Sequence, residues 1–164
     1  MSNTLRTCAA IAVVFIGCSR MSAQNLPTQR ILPLGIAKTI AETALAECKA
    51  KGFHTAVAVV DRSGQLLVFL RDEQATPETI EMARRKAYTA RIFRITTLEF
   101  RDRTKGDQPA AGQRDVTDML ALGGGVPIQA GNETIGGVGS SGSGQETDDA
   151  CAKAGIAKVA NLLK

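Results

Sequence analysis

Apolar residues recur every third or fourth position from Ala37 through Ile40, Ala41, Ala44 and Leu45 to Cys48, and the stretch closes on Lys49, Lys51 and Gly52. That spacing predicts a one-sided helix over 33–51 with a basic, glycine-ended C-terminus. The period then changes. Residues 55–60 and 65–70 are β-branched and aliphatic and are joined by Asp61-Arg62-Ser63-Gly64, which predicts a hairpin. The first run is apolar at nearly every position, so both faces of that strand should be covered by other elements. Thr76 is placed to cap a second helix, with Pro77 at its first position and Glu78 in its first turn. Ile80, Ala83, Ala87 and Ala90 mark its buried side as far as about Phe93. From Arg101 to Asp118 the charge density, with Gly106, Pro109 and Gly112, predicts a long surface loop. Residues 125–129 and 134–138 then form a second hairpin around Gly131-Asn132, a Gly/Ser-rich bend follows, and a last helix from Gln145 buries Ala152, Ile156, Val159 and Leu163. Hairpins interleaved with helices give an α+β fold, an antiparallel sheet with helices packed on it, rather than a parallel doubly wound sheet.

The chain has 164 residues, a single-domain length able to bury a core. Its first residues have a different character. Arg6 follows a polar start, residues 7–17 are small and apolar, and Met21-Ser22-Ala23 offers a small residue at a cleavage edge. Residues 1–23 therefore read as a secretory signal peptide, with 24–164 as one exported domain, periplasmic or secreted. Phe15-Ile16-Gly17-Cys18 supports a second reading, a lipoprotein signal that would leave Cys18 lipid-anchored. The apolar run is shorter than the ~20 residues of a membrane-spanning helix, so no transmembrane segment is expected in the mature chain. Loss of Arg6 and Arg20 with the leader leaves 18 basic against 16 acidic side chains, a net charge of +2. So mild a balance gives no reason to expect a nucleic-acid partner. Cys48 and Cys151 remain in the mature chain, either as a disulfide across a long loop or as two separate buried thiols.

Gly137-Val138-Gly139-Ser140-Ser141-Gly142 matches the dinucleotide pattern GxGxxG. That fingerprint requires a further parallel strand with an acid about 20 residues on, and residues 145–164 supply a helix instead. Neither the Lys-Ser/Thr ending of a phosphate loop nor a GxSxG nucleophile elbow is present. The bend can bring backbone N–H groups to a ligand, or the acids Glu146, Asp148 and Asp149 can simply occupy the helix start. His54, the single histidine, stands at the mouth of the first strand, where it suffices as one axial ligand or one acid/base group, or is a half-buried edge residue. Arg84, Tyr88 and Arg91 share one face of the second helix, a stripe that can accept carboxylates through Arg forks or lie solvated. Glu78 and Glu81 are close enough to share a cation, or they serve the helix dipole.

Taken together, AVAVVDRSGQLLVFLR at 56–71, KAYTA at 86–90, GGGVPI at 123–128 and the Gly/Ser bend before an acidic, Ala/Gly-rich helix resemble the GlcG/HbpS-type haem-binding family, from about Ile36 to Leu163. The resemblance implies a profilin-like or PAS-like sandwich that assembles into dimers or larger homo-oligomers. It implies haem as the small-molecule ligand, and iron at Glu78 and Glu81. By the chemistry of their own side chains, rather than by the resemblance, Arg84 and Arg91 would meet the haem propionates, with His54 or Tyr88 near the iron.

The function expected first is an exported, non-catalytic haem or tetrapyrrole binder linked to redox or iron handling. A catabolic enzyme of hydrolase or isomerase type acting on an organic acid is the alternative, with Asp61, Arg71, Lys86 and His54 as acid/base and carboxylate-binding candidates. An oligomeric accessory module without a small ligand is the third.

Overall fold

The computed structural model describes residues 25–164; the leader, in either of its readings, lies outside them. Among the described residues, four α-helices and four strands run in the order α1 (Leu34–Ala50), β1 (Ala56–Val60), β2 (Leu66–Arg71), α2 (Thr79–Phe93), α3 (Thr97–Arg103), β3 (Gly125–Ala130), β4 (Glu133–Ser141) and α4 (Gln145–Lys158). The strands form one antiparallel sheet in the order β2-β1-β4-β3. The α+β reading holds.

Central strand β1 explains its unbroken apolar sequence. Val57 and Val59 join Ile40, Ala41, Ala44, Val138 and Ala152 in a core between the sheet and the α1/α4 layer. Ala56, Ala58 and Val60 face the other way, onto Ala83 and Ala87 of α2. All five residues of the strand are buried. Side chains alternate across a strand, so small residues on one face and larger ones on the other let α2 approach more closely than α1 and α4.

Glycines complete that close approach. A Cβ built on Gly139 or Gly137 would sit closer than 3.0 Å to the main-chain oxygen of Ala83 or Ala87, and one on Gly125 would meet that of Lys86 in the same way. Gly125 and Gly139 are partners across β3 and β4, so the stripe is continuous over two strands. Residues 137–141, expected as a bend, are thus the end of β4, and the turn itself is confined to 142–144. The repeated glycines serve the contact of helix backbone with sheet backbone.

Three local expectations are corrected. Thr76 and Pro77 precede α2 in a turn, where Thr79 Oγ1 donates to the Thr76 carbonyl, and the helix begins at Thr79. Ile80, expected on the buried side, is 44 % exposed, and Thr79, four residues before Ala83, takes the inward place instead. The loop expected over 101–118 contains the end of α3 and a 3-10 turn at Ala111–Asp115. Thr96 caps α3 by accepting from the Glu99 N–H, and Phe100 packs on Phe93 with ring centroids 4.5 Å apart. No helix among the described residues is long and apolar enough to cross a membrane.

Candidate functional site

Two clefts flank the sheet. The larger, about 470 Å³, runs between edge strand β3 and α4. Val126 and Pro127 supply one wall, and Ile156, Ala157, Ala160 and Leu163 the other. Positions 153, 156, 157 and 160 recur at helical spacing, so a single stripe of α4 and the turn after it lines the groove. Lys153 stands at its rim and pairs with Asp149 at 2.6 Å. Near Gly131, at the end of the groove, Arg30 donates to the Ala130 carbonyl. Pro127 removes one ladder donor from the exposed edge of β3, which suits an edge strand.

The second cleft, about 280 Å³, opens where the N-terminus of α2 meets the turn after β4. Its floor is an ion pair that the fold encloses completely: Lys86 is 2 % exposed, Asp148 is 1 % exposed, and they meet at 2.8 Å. Lys86 Nζ also donates to the Ser140 carbonyl at 3.0 Å and to Ser141 Oγ at 3.3 Å. The other carboxylate oxygen of Asp148 accepts from Ser143 through both N–H and Oγ. Burial pushes the Lys86 ammonium below its ordinary pKa, against the opposing pull of Asp148. Thr76, Glu78, Thr79 and Met82 form one wall, and Leu122, Gly142 and Gln145 complete the lining.

His54 lies outside both linings. Its Nδ1 is 2.9 Å from Asp72 Oδ1, while Lys49 Nζ approaches Oδ2 of the same carboxylate at 3.0 Å. Asp72 is held at a pKa of about 2, first by the Gln74 N–H, then by hydrogen bonds from Lys49 and His54. A carboxylate lowered from 3.8 stabilises the fold fully above its unfolded pKa and loses that contribution as pH falls towards 2. Asp72→Asn should therefore be less stable than the parent at about pH 6, with the gap closing between about pH 4 and 2. Urea midpoints across that range provide the check; a gap independent of pH would remove the charge from the explanation.

The other candidates are dispersed. Arg84 is engaged by Glu81 at 2.7 Å and by Asp118 at 2.6 Å. Arg91 donates through Nε to the Arg62 carbonyl at 2.6 Å, and burial, then the neighbouring Arg62 and Arg94, lower its pKa. The Tyr88 ring lies against Gly64 in the β1–β2 turn, so closely that a Cβ on Gly64 would be 2.6 Å from it. His54 precedes β1 and Gly64 follows it, so His54 and Tyr88 stand at opposite ends of a five-residue strand, on the order of 16 Å apart. Glu78 faces the polar cleft, whereas Glu81 is held by Arg84, which lowers its pKa. No group of three or more His, Cys, Asp or Glu side chains among the described residues is placed to hold a metal. Of the alternative candidates, Asp61 accepts the N–H groups of Ser63 and Gln65 in the hairpin turn, and Arg71 donates to the Ala75 carbonyl.

Two positions of these charged clusters escaped the sequence. Asp148 read as a first-turn helix acid, and Asp72 carried no pattern at all. Lys86 did carry a signal: it follows Ala83 by three and precedes Ala90 by four, which puts a charge in the middle of a buried stripe.

A four-stranded antiparallel sheet with α2 laid on one face through glycines, and α1 and α4 on the other, defines an α+β sandwich. Residues 32–157 match the family described as "Haem degrading protein HbpS-like", and the chain belongs to that family. A double mutant of HbpS from Streptomyces reticuli superposes with a TM-score of 0.78 at 33 % identity, covering 92 % of this chain and 98 % of that one. A PduOC:haem complex gives 0.72 at 25 % identity, covering 78 % and 94 %. Among curated proteins, the uncharacterized 15.0 kDa protein of the dhaT-dhaS intergenic region of Citrobacter freundii is 29 % identical over 119 residues, which span 71 % of this chain and 84 % of that protein.

Proposed function

We propose that this chain is an exported HbpS-like protein that binds haem or a related tetrapyrrole in the groove between β3 and α4. Membership of the HbpS-like family carries the reading, and a structural neighbour solved as a haem complex supports it. The groove fits a flat apolar ring in size and character, since small-molecule sites run to about 300–1,000 Å³ with mostly apolar linings. Lys153 at the rim and Arg30 beside Gly131 are cations suited to the propionates. When bound, the group would supply iron redox and ligand chemistry. The protein's own part is to shield one ring face with Ile156, Ala157 and Leu163 and to orient the carboxylates outward.

His, Cys, Met and Tyr are missing from the lining, so the groove by itself supplies none of the common iron ligands. Edge strand β3 borders it, and a second copy seated there would both close the slot and offer the missing ligand. This is the reason to expect a homo-oligomer. Export is supported by residues 1–23 and by the disulfide of Cys48 with Cys151, which belongs to an oxidising compartment.

Hemin titrated into the mature protein should shift the Soret band saturably. Ile156→Glu should weaken that affinity ten-fold or more, about 1.4 kcal/mol, while His54→Ala leaves it unchanged. A linear, featureless response from the parent protein would reject haem binding. Loss with His54→Ala alone would move the site away from the groove. Size-exclusion mass with and without hemin reads the assembly.

A further inference from the structure

The polar cleft at the start of α2 is built around a lysine whose situation a purely structural ion pair does not require. All three Nζ protons of Lys86 are engaged, by Ser140, Ser141 and Asp148, so the ammonium has no donor left to offer an anionic ligand. The residue nevertheless forms part of the wall of a cleft large enough for a small organic molecule, beside the apolar thioether of Met82 and the hydroxyls of Thr76 and Thr79. What such a lysine can offer is its nitrogen lone pair. Asp148 touches it at 2.8 Å and stands where a proton leaving Nζ is taken up. Ser143 holds Asp148 from the far side through two hydrogen bonds, so the acceptor stays in place as the proton moves.

We infer that this cleft is a site for small aldehydes or ketones, with Lys86 as an imine-forming nucleophile and Asp148 as its proton partner. The proton passes from Nζ to Asp148, and the amine attacks the carbonyl carbon. A C–N bond forms while the carbonyl electron pair moves to oxygen. Transfer of one proton from nitrogen to that oxygen gives the carbinolamine. Asp148 then returns its proton to the hydroxyl, the C–O bond breaks, and water leaves. The product is an iminium that stands beside the Asp148 carboxylate in place of the original ammonium, so atoms and charge balance. Desolvation of Lys86 favours the first step, as it does for other lysines activated by burial. The site shares no lining residue with the groove proposed for the tetrapyrrole and stands independently of it.

Propanal with sodium cyanoborohydride, which reduces the iminium to a stable secondary amine, provides the test on the folded mature protein at neutral pH. Peptide mapping by mass spectrometry should find Lys86 modified at least about ten times faster than the exposed Lys49 and Lys153, since an amine activated by burial is the better nucleophile. The preference should vanish in the urea-unfolded chain, where all lysines become equivalent. Modification of Lys86 at or below the rate of the surface lysines in the folded protein would overturn the proposal and leave the pair as a structural tie among α2, β4 and α4.

Discussion

Lys86→Met should cost the domain about 3–5 kcal/mol, because it leaves the Asp148 carboxylate enclosed at 1 % exposure without its cation. Methionine preserves most of the volume of lysine, so the loss is electrostatic rather than a cavity. Total stabilities of single domains are about 5–15 kcal/mol, so this one change removes a large share of the whole. Asp148→Leu alone strands the ammonium and should cost a similar amount. In the double variant neither charge remains, and a substantial part of the loss should return. Recovery will be incomplete, because the Ser140 carbonyl and the Ser143 hydroxyl lose partners that no apolar residue replaces. Urea unfolding of the four proteins in a double-mutant cycle reads the coupling directly. If both single variants fall within about 0.5 kcal/mol of the parent, the pair is not the tie that holds α2, β4 and the start of α4 together.

The same pair shows where sequence reasoning reaches and where it stops. Periodicity places α1, α2, α4 and both hairpins, though not the short α3, since a one-sided helix and a doubly buried strand leave signals within a few neighbouring residues. The glycines of β4 were equally visible, yet their purpose was not. Gly137 and Gly139 look like a ligand-binding bend until the sheet order brings α2 across them, and only then does the contact with the Ala83 and Ala87 carbonyls explain why no side chain is allowed. Lys86 and Asp148 are 62 positions apart, and no local pattern pairs two residues at that range. His54, Arg84, Tyr88 and Arg91 illustrate the converse. Chemical suitability grouped them, but three lie on one helix that runs along the sheet while His54 stands at one end of it. The edge-strand groove left no mark in the sequence either, because Val126 and Pro127 read as strand positions, and Ile156 and Leu163 as buried helix positions, until the sheet is seen to end at β3. The family resemblance spanned that gap, since it carried the fold without needing the site.

Cys48→Ala together with Cys151→Ala should lower stability by about 2–5 kcal/mol. Two residues left open as a disulfide or as separate thiols prove to be bonded, with Cα atoms 5.6 Å apart, well within the range a bridge requires. The bond closes a loop of 103 residues between the end of α1 and the middle of α4. In the chain-entropy account a loop of that length is worth about 4.7 kcal/mol, near the top of what a single bridge supplies. A melting midpoint lower by on the order of 10 °C should follow in the double variant. The consequence reaches the groove, because the opposite side of α4 carries Ile156 and Ala157. Loosening its attachment to α1 should weaken hemin binding along with stability, and thorough reduction of the parent protein should reproduce both effects. Unchanged melting in the double variant would remove the bridge from the energetics.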